Sequence, residues 1–202
     1  MGVYVPGRTA TEGTDPVKKK LAAAVCGGAV LALTLTGCSD DSGAQTDAWA
    51  KKVCDDVQPQ VKKIQEANTS INDASKEKNS SKEVKETDAA AFQKISGAYK
   101  SLADSVDKAG PPPVDDGETL HKDAVSELRG ISTKYADLRK TVDGLDTKDQ
   151  AKFAEGLQGV ATKLDTLGKS GDKALSKLQS GDVGKAMANQ KGCKRPGNNP
   201  NV

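Results

Sequence analysis

The residues of this chain that could do covalent or acid–base chemistry are four cysteines, one histidine and serines scattered among many lysines. Of these, Cys38 has the most specific surroundings. It follows Leu35-Thr36-Gly37 at the end of an apolar run from Leu21 to Thr36, and that run follows Lys18, Lys19 and Lys20. A basic patch, an apolar stretch and a small residue before the cut make up an export signal. A cysteine immediately after the cut completes a lipobox. The chemistry expected is acylation of the Cys38 sulfur, by a chain such as palmitate, and cleavage after Gly37 so that Cys38 becomes the first residue. Two such signals are needed for firm attachment to a bilayer, and diacylated anchors meet that requirement.

The other reactive side chains carry weaker signals. His121 stands near the start of a helical stretch beside Lys122 and Asp123, and is expected to be an exposed helix-start histidine. One imidazole with no cysteine or serine in register does not make a nucleophilic site. Metal ligation needs several converging His, Cys or carboxylate groups, and the Glu-x-x-His pairs of di-iron bundles do not occur here. No calcium loop of the D-x-[DN]-x-[DN]-G form is present. A Ser-x-x-Lys tetrad occurs at Ser75 and Lys78, at Ser105 and Lys108, and at Ser170 and Lys173, without the Ser-Asp-Asn or Lys-Thr-Gly companions of serine acyltransferases. These are coincidences of a lysine-rich text. The reading is non-catalytic, with no catalytic residue, no metal site and no cofactor expected.

Export sets the fate of the remaining thiols. Cys26 lies in the discarded apolar run and Cys38 is committed to lipid, which leaves Cys54 and Cys193. An oxidising compartment favours pairing them, and they flank the regular part of the chain. In the chain-entropy account, closing a loop of about 140 residues is worth roughly 5 kcal/mol.

Composition sets further bounds. Removing the leader takes Arg8, Lys18, Lys19 and Lys20 but also Glu12 and Asp15, which brings the 30 basic and 28 acidic residues of the 202-residue chain to equality. A neutral surface of interspersed charge gives no reason to expect nucleic acid, and no polybasic patch for lipid head groups. Aromatics are 3% of the chain, so the core must be aliphatic. The segment MGVYVPGRTATEGTDP precedes the basic patch, where an export signal normally begins; initiation at Val17 would remove it. At Leu21 to Thr36 the apolar run is short for a span, which takes about 20 residues. The domains expected are 1–37 (extension and signal), 38–46 (polar tether), 47–193 (helical domain) and 194–202 (disordered tail).

Behind the tether, Thr46 or Asp47 can cap a first helix with Trp49, Val53, Val57, Val61 and Ile64 on one stripe, although Pro59 removes a backbone donor inside it. Residues 68–87 are polar and read as a long connection. Asp88 then reads as the cap of a second helix, with Phe92, Ile95, Tyr99, Leu102, Val106 and Ala109 on its stripe, ending at Gly110-Pro111-Pro112-Pro113. Asp115 and Glu118 resemble a capping box for a third helix, striped by Leu120, Ala124, Leu128, Ile131, Tyr135, Leu138 and Val142. Thr147 with Gln150 reads as the next box, before a fourth helix with Phe153, Leu157, Val160, Leu164 and Leu167. Gly156 and Gly159 in that helix suit a close approach of helices. Gly168 to Gly171 reads as a break, followed by short helical pieces up to Cys193. No stretch alternates as a strand does. The fold class is all-α, an up-and-down four-helix bundle with a short C-terminal helical segment stapled by one disulfide.

The lipobox at Cys38, the segment Trp49-x-x-x-Val53-Cys54 and the closing Gln190-Lys191-Gly192-Cys193-Lys194 together resemble the small secreted lipoproteins of Streptomyces-type actinomycetes. That resemblance implies a cell-membrane location on the extracytoplasmic face and no assigned activity. Two functions are compatible with a tethered helical bundle. It could be an envelope interaction module with a protein partner, or a carrier holding a small apolar ligand among its helices. The apolar stripes are narrow enough to be used up by mutual packing, which favours the first.

Overall fold

The computed structural model describes residues 41–76 and 78–194, with the side chains of 41 and 169–175 left aside. Val17, the expected signal segment, Gly37, Cys38 and the stretch from residue 195 lie outside the described residues. The elements are α1 (Asp41–Lys76), α2 (Ser81–Ala109), α3 (Gly117–Asp143), α4 (Gln150–Leu178) and α5 (Gly181–Asn189), followed by a 3-10 turn at Lys191–Cys193. No strand occurs among the described residues.

Short connections make successive helices antiparallel, and the main seams run α1–α2, α2–α3 and α3–α4. The result is the up-and-down four-helix bundle. Its fourth side is filled in part by α5, which packs on both α1 and α4, and the 3-10 turn then lies against α1. Cys54 and Cys193 form the disulfide, with Cα atoms 4.9 Å apart, and so fasten the end of the chain to the first helix. Gly192 is required there, because a Cβ on it would sit 2.5 Å from the Cys54 carbonyl oxygen.

The core has two parts. At the end of the bundle where α1 begins, Trp49, Ala50 and Val53 pack with Leu102, Val106, Leu128, Leu178 and Val183. We call this the proximal end. Trp49 Nε1–H donates to the Gly110 carbonyl at 2.8 Å, tying the start of α1 to the end of α2. At the distal end Ala67 packs with Ala89, Ala91, Phe92, Ile95, Ile131, Leu138, Val142 and Val160. Between them Tyr135 stacks on Tyr99, with ring centroids 5.7 Å apart, and meets Phe92 at 6.0 Å. Across the α2–α3 seam Ser96 Oγ–H donates to the Ser132 carbonyl at 2.9 Å and Ser132 Oγ–H to the Ser96 carbonyl at 2.8 Å.

Several local expectations are corrected. Residues 41–46 are helical, so the tether is not polar coil through Thr46; Thr46 is buried inside α1, with its hydroxyl donating to the Ser42 carbonyl at 2.8 Å. Neither Thr46 nor Asp47 is a cap. Pro59 does not end the helix, since it lies on an exposed position where only the Asp55 carbonyl loses its partner. The polar stretch 68–87 is no long connection but the last turns of α1 and the first of α2. Ala67, Ile71 and Ala74 continue the apolar stripe of Ile64 on helical spacing, and that sparse stripe is enough when the opposite face is free to be polar.

The cap of α2 is Ser80, not Asp88. Ser80 Oγ accepts the Glu83 N–H at 3.3 Å and the Ser80 N–H donates to Glu83 Oε2 at 2.8 Å, a complete capping box. Ser80 Oγ–H also donates to Glu83 Oε2 at 2.7 Å; this side-chain bond first and the Ser80 N–H second hold the Glu83 carboxyl below the usual carboxylate value. The expected Asp115–Glu118 box is absent: Asp116, with φ of 60°, precedes α3 without a side-chain cap. Tight contact explains this start, because a Cβ on Gly117 would collide with the Pro112 carbonyl. In α4 the capping side chain is Asp149, whose Oδ1 accepts the Lys152 N–H at 3.1 Å, rather than Thr147. α4 also runs through Gly168 and Gly171 to Leu178 without a break. Glycine weakens a helix by about 1 kcal/mol per position, which packing of Leu167 and Leu178 offsets. Gly156 does mark a close approach, to the Leu145 side chain in the α3–α4 turn, while Gly159 faces open space.

Candidate functional site

The expected lipidation site at Cys38 and cleavage site at Gly37 fall outside the described residues, but α1 shows how anything attached there would be carried. The helix begins at Asp41, with only Ser39 and Asp40 between it and Cys38. Two extended residues reach about 7 Å. The proximal end of the bundle therefore stays close to whatever Cys38 is fixed to, and the α1–α2 turn lies at the opposite end.

His121 is not exposed as the sequence suggested. Its side chain keeps 17% of its accessible surface, and Nε2 lies 3.2 Å from the Val106 carbonyl and 3.8 Å from Asp107 Oδ1. A carbonyl can only accept, so Nε2 carries the proton in that contact. Arg129 holds the other carboxylate oxygen of Asp107 at 2.8 Å. The ring thus joins the start of α3 to the end of α2. Its contacts are a main-chain carbonyl and a carboxylate, which orient it but activate no nucleophile.

The Ser-x-x-Lys pairs are not assembled into a site either. The Ser75 hydroxyl donates back to the Ile71 carbonyl at 2.9 Å, an ordinary use of serine within a helix. Ser105 and Lys108 share the last turns of α2, and the side chains of Ser170 and Lys173 are not among those described. No group of three or more His, Cys, Asp or Glu side chains that could hold a metal ion occurs among the described residues. Among those residues no helix is long and apolar enough to cross a membrane.

Of the grooves in the surface, two are lined largely by apolar area. One, of about 380 Å³, lies between α1 and α5 under the disulfide and is lined by Val57, Val61, Met187 and Gly192. The other, of about 350 Å³, lies between α3 and α4 and is lined by Leu138, Thr141, Thr162, Lys163 and Leu167. Elsewhere the surface carries short-range ion pairs such as Lys51–Asp55, Lys100–Asp104 and Lys185–Asp182, which are exposed and contribute little to stability.

Sequence reading missed one functional candidate, Asp88. It is 6% exposed, inside α2, and among the described residues its Oδ1 is the buried side-chain oxygen or nitrogen left without a hydrogen-bond partner. Burial pushes its carboxyl up to about 6. Burial likewise raises the phenol of Tyr99, and with it the neighbouring Tyr99 raises Tyr135 to about 12. The signal was present in the spacing, since Asp88 continues the stripe of Phe92, Ile95 and Tyr99 one turn further back.

No protein-family model, curated protein or solved structure matches this chain.

Proposed function

We propose that this chain is a lipid-anchored, non-catalytic interaction module of the cell envelope, held on the extracytoplasmic face through acylated Cys38 and docking an envelope protein with its far end. The observation that carries the reading is α1. It starts just after the lipobox cysteine and continues for 36 residues as one helix. At about 1.5 Å per residue such a helix is about 54 Å long. An anchor joined to a rod of that length, with the chain's end fastened back to the rod by the disulfide, holds the α1–α2 turn away from the bilayer at a defined distance. The residues of that turn, Lys76 to Ser81, are polar and their described members are mostly exposed, which suits a reversible contact with another protein more than burial in lipid.

The resemblance to secreted actinomycete lipoproteins supports the same location. A carrier would have to use a surface groove, and the larger apolar one, between α1 and α5, is at the small end of the range that encloses ligands.

Photo-crosslinkers placed at Lys78 in the distal turn and at Lys82 in the first turn of α2 beside it, and at Lys52 in the proximal half, test this reading in native membranes. One discrete protein adduct from the two distal positions and none from Lys52 is the expected result. Equal, unspecific labelling at all three positions would overturn it, as would a small molecule released from the purified protein on denaturation.

A further inference from the structure

Asp88 has no role in the anchor, in the disulfide or in the distal turn, yet its carboxyl occupies the inside of the bundle. Its place is fixed by two contacts across the bundle. One turn before it, Lys85 Nζ–H donates to the Leu145 carbonyl in the α3–α4 turn at 3.0 Å. Two turns after it, Ser96 bonds to Ser132 of α3. Asp88 therefore lies in the distal half, one turn from Phe92.

Among the described residues no cation pairs with it. Lys85, on its own helix, is committed to Leu145. On α3, Arg139 contacts Asp143 at 3.3 Å and Gln93 at 2.5 Å, and Lys140 contacts Asp137 at 3.0 Å. On α4, Lys163 donates to Thr141 Oγ1 at 3.3 Å, and on α1, Lys62 faces Glu66 at 3.8 Å. The phenol of Tyr135, whose ring meets Phe92 one turn from Asp88, is raised to about 12 and stays neutral at any pH where Asp88 changes state. A buried carboxylate with neither a cation nor a full set of donors is costly, so the closed bundle favours the neutral acid.

The two halves of the bundle differ in how they are held. The proximal half has the disulfide, the Trp49 hydrogen bond and large aliphatic side chains. Distally, the buried side chains that α1 offers are Ala67 and Ala74, with Ile64 and Ile71 partly buried, against Ala89, Ala91, Phe92 and Ile95 of α2; an alanine removes little apolar area from water. Separation there costs less than separation beside the disulfide.

From these facts we infer that Asp88 is a protonation latch: with its carboxyl neutral the distal half of the bundle is packed shut, and ionisation loosens that half while the disulfide-pinned half stays folded. The occupied state of the latch would set how freely the distal turn, the surface assigned above to a protein partner, can rearrange. The latch itself does not rest on that assignment.

Native-state amide hydrogen exchange on the mature protein tests it, at about pH 5 and about pH 7.5, after correction for intrinsic exchange. A folded-state value of about 6 against 3.8 for an ordinary aspartate makes the opening equilibrium of residues 64–76 and 81–95 rise about tenfold between the two conditions. Residues 47–57 should show no such rise. In Asp88→Asn the distal residues should lose the pH dependence and keep the protection that wild type has at the lower pH. A pH-independent wild type, or the same dependence in the variant, would overturn the latch. Titration of the Asp88 side-chain carboxyl by carbon-13 NMR needs no variant. A midpoint near 6 is expected, and a midpoint in the ordinary aspartate range contradicts the proposal.

Discussion

Replacing Cys54 or Cys193 by serine should lower the unfolding free energy by about 5 kcal/mol and the melting temperature by roughly 15 °C. The bond closes a sequence separation of 139 residues, so most of the unfolded chain's freedom is restricted by it. The double variant should be no less stable than either single one, because the second substitution removes a thiol that has already lost its partner. Reductant should produce the same loss in the wild type and none in the variants. Thermal unfolding by circular dichroism, with and without reductant, checks this; additive losses in the double variant would show that the two cysteines act separately. The loss is a large share of the stability of this chain, whose aromatic content is 3% and whose distal α1 buries no side chain larger than alanine among the described residues. Total stabilities of domains this size are about 5–15 kcal/mol.

Asp88→Asn should have the opposite effect. The folded carboxyl sits at about 6 against an ordinary 3.8, so between those pH values the folded chain binds more protons than the unfolded one. Stability therefore falls as pH rises through that window and is lowest above it. At about 1.4 kcal/mol per pH unit, the ionised carboxylate costs roughly 3 kcal/mol at neutral pH. Asparagine has the same shape and never ionises. It should raise stability by about that amount above pH ~7 and leave it nearly unchanged near pH ~4, where the wild-type carboxyl is itself neutral. Urea unfolding across this range measures the difference directly. A gap that does not vary with pH would mean that Asp88 is solvated in the folded state.

Much of this architecture was legible in the sequence, and its failures have a common cause. Stripes of Leu, Val, Ile and Phe at steps of three and four located all four long helices, Gly110 with three prolines marked the end of α2, and the pairing of Cys54 with Cys193 followed from which thiols the expected cleavage and acylation would leave. The stretch 68–87 was misread because its apolar points, Ile71, Ala74 and Val84, are sparse and one of them is only an alanine. Inside a bundle alanine is a full core residue, and Ala67, Ala74, Ala89 and Ala91 are all buried. The same oversight moved the start of α2 from Ser80 to Asp88. An aspartate before an apolar stripe resembles a cap, and the Ser80-x-x-Glu83 box that does the capping lay within text taken for a linker. Asp116 could not have been found this way, because its positive φ is imposed by packing of Pro112 on Gly117. The expected anchor site was legible as a motif alone, while the burial of Asp88 was legible only in its place on the stripe of Phe92, Ile95 and Tyr99.

The central claim is that the bundle hangs from lipid at Cys38, and a mass spectrum of the protein extracted from its own membranes tests it most directly. Taken intact and without reductant, the spectrum should show a chain beginning at Cys38, heavier by its acyl groups and lighter by the two hydrogens of one disulfide. A chain that retains residues before Cys38, or an unmodified Cys38, would contradict the account.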